Sequence, residues 1–194
     1  MNRRVAIKKA SLMLGMAVGS PTVLTILNGC IPKKAINWTP IFFTENQAVL
    51  VANIADIILP KTNTPGALDV GVDAFIDFII NDCYSSIEQD RFINDLNELD
   101  NESDSLYGKS FIKLDQETKV KFLTLLDKRA EKTKLASTNY IRPIYAQLKE
   151  LILLGYFTSE EIITSHLEYV PIPTRLDGCT PLKSNQKVIV GNQI

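Results

Sequence analysis

Apolar residues recur at helical spacing along most of this chain, and the breaks between them carry turn residues. Thr44 stands three residues before Gln47, a capping-box arrangement at the start of a helix. The segment that follows, Glu45 to Leu59, is apolar around most of its circumference. At about 100° per residue its main polar positions, Asn46, Asn53 and Asp56, fall within an arc of roughly 80°. So narrow a polar face predicts a largely buried helix, which Pro60 ends. Lys61 to Gly66 reads as a turn-rich loop.

A second helix is predicted from Asp69 to Asp82, with Val72, Phe75, Ile76, Ile79 and Ile80 forming one apolar stripe. Ser85 and Glu88 make another capping box, opening a third helix with Ile87, Phe92, Ile93, Leu96 and Leu99 turned inward. The polar run Asp100 to Lys109 breaks that pattern. Asp115 caps a fourth helix to about Lys132, carrying Val120, Phe122, Leu123, Leu126 and Ala130. Asn139 caps a fifth, with Pro143 in its first turn and Gly155 as its C-terminal stop. Thr158-Ser159-Glu160-Glu161 offers a capping box for a short sixth. After Tyr169 the chain is punctuated by Pro171, Pro173, Gly178, Pro181 and Gly191, with at most a short strand at 188–190. The expected fold is all-α: an irregular domain of about six helices over residues 44–194, closed by an extended C-terminal segment.

The first thirty residues differ in kind. Met1 to Lys9 is positively charged, with paired Arg3 and Arg4. Ala10 to Leu27 is uncharged and mostly apolar, and Leu27-Asn28-Gly29-Cys30 resembles a lipobox. Arg3, Arg4, Ile7 and Lys8 fit the twin-arginine export pattern, with Ala6 the weak match. A membrane span needs roughly 20 apolar residues. Gly15, Gly19, Ser20, Pro21, Asn28 and Gly29 make this stretch only moderately hydrophobic, which suits a removable signal. Residues 1–29 are therefore expected to be the signal peptide, and Cys30 the lipidated first residue of a membrane-anchored periplasmic protein. Residues 30–43, with two prolines, two lysines and no periodicity, read as a tether.

Composition adds limits. Of the 21 basic residues, Arg3, Arg4, Lys8 and Lys9 leave with the signal and no acidic residue does; the mature chain, 17 basic against 22 acidic, carries a formal charge of −5. No basic stripe points to nucleic acid. With Cys30 acylated, Cys83 and Cys179 remain, and an oxidising compartment leaves open either a bridge between them or two separate buried thiols.

Catalytic and cofactor motifs are sparse. His166 is the single histidine and has no Cys/His cluster near it in sequence, so neither a metal ligand set nor a catalytic role is assigned. Glycine-rich dinucleotide, Cys-x-x-Cys-His and Gly-x-Ser-x-Gly patterns do not occur. Asp69, Asp73 and Asp77 share a helix face and read as its solvated side. Asp100 to Ser105 superficially resembles a calcium loop but lacks the glycine and the closing acid. Tyr140, Tyr145, Tyr156, Phe157 and Tyr169 concentrate aromatic character in the C-terminal third, where core packing and partner contact compete for them.

Three stretches give the chain a family resemblance. They are Ile54-Ala55-Asp56-Ile57-Ile58-Leu59-Pro60 with Thr64-Pro65-Gly66-Ala67 and Gly71-Val72; Leu148-Lys149-Glu150-Leu151 through Leu154 to Glu160; and Tyr169-Val170-Pro171-Ile172-Pro173 through Asp177-Gly178-Cys179. In this order they resemble the gluconate 2-dehydrogenase subunit 3 family. The lipobox departs from the family pattern and bears on anchoring, not on fold. The resemblance implies a small accessory subunit without cofactor or catalytic residues. It further implies an FAD-carrying large subunit of the glucose-methanol-choline class as partner, and in many complexes a c-type cytochrome with its haem as electron acceptor. The small subunit would assist assembly and lend its export signal to the folded flavin subunit. Tyr156, Tyr169 and Arg175 are the expected contacts with that subunit. Two other readings stand beside this one: a lipid-anchored binding or structural protein without a dehydrogenase partner, and a self-contained enzyme built around His166.

Overall fold

The computed structural model describes residues 36–136, 142–172, 179, 181, 184 and 186–191. The signal, Cys30 and Asn139 lie outside these residues. The described chain forms six α-helices: α1 (Glu45–Ile58), α2 (Val72–Cys83), α3 (Ser86–Tyr107), α4 (Gln116–Ala136), α5 (Ile144–Thr158) and α6 (Glu160–Ser165). A 3-10 turn, Phe111–Lys113, joins α3 to α4, and a two-stranded parallel ribbon pairs β1 (Glu168–Tyr169) with β2 (Ile189–Val190). The all-α expectation holds.

α5 is the hub. It packs against α1, α2, α3, α4 and α6, which is why its sequence is apolar on nearly every side. Leu148 and Ile152 are fully enclosed beside Val51, Ile54, Ile76, Ile80, Phe92 and Leu96. Gly155 does not stop this helix, which continues to Thr158. A methyl group at Gly155 would sit 2.6 Å from Phe75 Cδ1, so the glycine exists to admit the Phe75 ring where α2 crosses α5.

Two capping boxes form as the spacing predicts. Thr44 Oγ1 accepts from Gln47 N while Gln47 Oε1 accepts from Thr44 N at 3.0 Å. Glu88 Oε2 accepts from Ser85 N at 2.9 Å. The third box does not form. Ser159 is the cap residue of α6, but its hydroxyl donates back to Tyr156 O at 2.7 Å, and Thr158 donates to Leu154 O. At the tight junction of α5 and α6 both hydroxyls bond back to carbonyls of α5, three residues behind for Ser159 and four for Thr158, instead of capping α6.

α3 runs through the polar stretch that was expected to end it. Phe92, Leu96, Leu99 and Ser103 are all buried and lie within roughly 60° of one another on the helix, so Ser103 continues the inward stripe. Ser103 Oγ donates to Lys109 O, and Asp100 Oδ1 accepts from Phe111 N at 2.7 Å. The helix stops at Gly108, whose left-handed φ of 69° suits a residue without a Cβ. Ile87, at roughly 140° from the stripe, is 80% exposed instead of inward. On α4 the inward position next to Val120 belongs to Lys119, in line with Phe122, Leu123, Leu126 and Ala130. Lys119 Nζ donates to Asn53 Oδ1 at 2.9 Å and lies 5.7 Å from the Phe111 ring centroid, so a buried cation bridges α4 to α1.

The largest departure concerns the tether. Residues 36–43 are part of the folded body, with Ile36, Trp38 and Phe42 packed on the core and Phe43 inside it. Asp77, fully buried on α2, holds them: its carboxylate accepts from Ile41 N at 2.7 Å, Phe42 N at 3.2 Å and Phe43 N at 2.7 Å. Asp73, also buried, accepts from the Trp38 indole at 2.7 Å. The face read as solvated is covered by this segment. The buried carboxylates are tolerable because they meet preorganised N–H donors.

Two stability predictions follow from this packing. Asp77→Ala strands three backbone donors and should cost about 3 kcal/mol, read as a lower urea midpoint. Gly155→Val should destabilise by about 1–3 kcal/mol through overpacking, and adding Phe75→Ala should recover part of that loss; independent, additive effects would show that the Phe75 contact is not the constraint.

Candidate functional site

The α5–α6 corner and the ribbon beyond it collect most of the residues proposed for partner contact. Tyr156 belongs to the core. It is only 7% exposed, and its hydroxyl donates to Pro65 O at 2.8 Å, tying α5 to the loop between α1 and α2. Its neighbour takes the outward place: Phe157 is 49% exposed and meets the Tyr156 ring edge-on at 5.3 Å. Tyr169 stands on β1 at 54% exposure. Glu168 N donates to Val188 O and Val170 N to Val190 O, and these bonds hold the ribbon in place. Arg175 lies outside the described residues.

More apolar surface lies on these elements than the sequence reading named. Leu153 and Leu154 on α5, Ile172 after β1, and Val188 and Ile189 at β2 are all exposed large hydrophobic residues. The run Leu151-Ile152-Leu153-Leu154 contained the signal. Four consecutive apolar residues cover every side of a helix turn, so some must face out unless the helix is wholly enclosed. Exposed apolar residues on these adjoining C-terminal elements make the region the candidate interaction surface.

Elsewhere the polar groups are paired. A groove of about 580 Å3 between α3, α4 and the start of α5 is lined by Arg91, Arg129, Arg142, Leu126 and Tyr145. Its arginines are compensated: Arg91 by Asp95 at 3.7 Å, Arg129 by Glu102 and Arg142 by Glu150. Burial, with the Asp127 charge adding to it, pushes the Tyr145 hydroxyl up to about 12, so it stays protonated. Asp69, in the turn before α2, joins neither Asp73 nor Asp77 in a ligand set; it accepts from Gly66 N at 2.7 Å and pairs with Lys61. Among the described residues no three His, Cys, Asp or Glu side chains gather as a metal site. His166 ends α6, its backbone N–H bonded to Ile162 O. Cys83 and Cys179 are exposed free thiols, so the bridge between them is not formed and the buried alternative does not hold either. Among the described residues no helix is long and apolar enough to cross a membrane.

The described body is a helical scaffold whose C-terminal elements carry several exposed apolar residues. Comparison with protein families matches residues 45–174 to gluconate 2-dehydrogenase subunit 3, from the start of α1 past β1. The chain belongs to the gluconate 2-dehydrogenase subunit 3 family, small subunits of multi-subunit dehydrogenase complexes. Neither a curated protein nor a solved structure matches the chain.

The two tyrosines separate core from surface. Tyr156→Phe should lower stability by about 1 kcal/mol through loss of the Pro65 bond and leave co-purification of the dehydrogenase subunit unchanged. Tyr169→Ser should do the reverse, weakening co-purification with the thermal midpoint held. The opposite pattern would place the interface elsewhere.

Proposed function

We propose that this chain is the non-catalytic small subunit of a periplasmic FAD-dependent dehydrogenase complex of the glucose-methanol-choline class. Oxidation takes place on the flavin of the large subunit, and a c-type cytochrome receives the electrons where the complex includes one. The small chain stabilises the large subunit, docks it through the surface around Phe157 and Tyr169, and escorts it across the membrane by the twin-arginine route. The observation that carries this reading is the family match over almost the whole helical body. Arg3 and Arg4 support the escort role, because that route moves folded proteins and the flavin must be bound before export. Cys30 then supplies the lipid that keeps the exported complex at the membrane.

The test is the double substitution Arg3→Lys with Arg4→Lys. Both this chain and the flavin subunit should remain in the cytoplasm, and periplasmic dehydrogenase activity should fall at least tenfold. Arrival of the flavin subunit in the periplasm at normal levels would end the escort reading.

A further inference from the structure

We infer that the Asp73–Asp77 clamp shortens the lipid leash and presents the Trp38 side of the domain to the bilayer surface. The inference rests on the reading of Cys30 as the lipidated residue. An extended chain spans at most about 3.3–3.6 Å per residue. Were residues 30–43 a free tether, fourteen steps would separate Cys30 from Thr44, a reach of about 48 Å. The clamp removes most of that length. Trp38 is fixed by its indole bond to Asp73, residues 41–43 are fixed on Asp77, and Ile36 already packs on the core. Only six steps remain from Cys30 to Ile36, a reach of about 21 Å.

A body held on so short a leash cannot turn any face it likes toward the membrane. Ile36 stays within about 21 Å of the lipidated residue, which holds the side that carries residues 36–41 toward the bilayer. That side bears Ile41, 60% exposed, whose backbone N–H is held by Asp77. One exposed apolar side chain does not hold a domain on a bilayer unaided, so the proximity depends on leash length. The α5–α6 apolar surface is then left for the dehydrogenase subunit.

Trp38, the single tryptophan of the chain, is the built-in probe. The purified mature chain is placed on phosphatidylethanolamine–phosphatidylglycerol vesicles carrying a dansyl headgroup lipid, and energy transfer from Trp38 is recorded. Strong transfer is expected. It should fall at least twofold when twenty Gly-Ser residues are inserted between Lys33 and Lys34, a change that leaves the clamp intact. Weak transfer in the parent chain, or equal transfer in both, would overturn the inference. Mass spectrometry of the same samples keeps the two claims apart. An unmodified Cys30 overturns the lipoprotein reading and the leash with it, whereas failed transfer in a verified lipoprotein overturns the leash alone.

Discussion

The Asp77 carboxylate is the interaction on which the start of this domain depends. A buried carboxylate without partners is several kcal/mol too costly for a protein of ordinary stability. Here three successive backbone N–H groups, from Ile41, Phe42 and Phe43, point at it and take the place of water. That arrangement fixes the chain just before Thr44, so the capping box of α1 forms in a set position against α2. Phe43 is carried into the core by the same turn, its ring 6.1 Å from that of Phe92 on α3. One acidic side chain on α2 thus sets the register among three helices.

From that corner the core is built around α5. A helix enclosed by five others needs close approach somewhere, and Gly155 supplies it opposite Phe75. Tyr156, the next residue, reaches across to Pro65 and closes the loop that leads into α2. The same helix cannot hide all of its apolar residues, and Leu153, Leu154 and Phe157 are left outside. Burying one part of α5 and exposing its C-terminal part follow from the same apolar sequence.

The clamp and the α5–α6 end of the described body differ in what they present. The clamp at 36–43 joins the body to the segment leading back to Cys30 and the paired arginines. The α5–α6 end, with the ribbon at 168–169 and 189–190, carries the apolar surface. Lys119 and its bond to Asn53 belong to neither end; they lock α4 to α1 in the interior.

Local spacing by itself determined the helical class and the starts of α1 at Thr44 and of α3 at Ser85, and the resemblance of three sequence stretches pointed to the family. These are legible because a cap and the first turn it serves lie within four residues, and an apolar stripe repeats every turn. The extent of α3, the interior place of Gly155, and the fates of Ile87 and Val120 depended on which neighbour lay across the helix. The same holds for the candidate site. The sequence marked the C-terminal aromatics as a group but could not separate Tyr156 from Phe157, because the difference is a carbonyl at Pro65, ninety-one residues away. Nor could it show that Asp73 and Asp77 are buried. An aspartate on the polar side of a helix is solvated by default, and only a second stretch of chain, folded over it with its N–H groups turned inward, makes burial the lower-energy state.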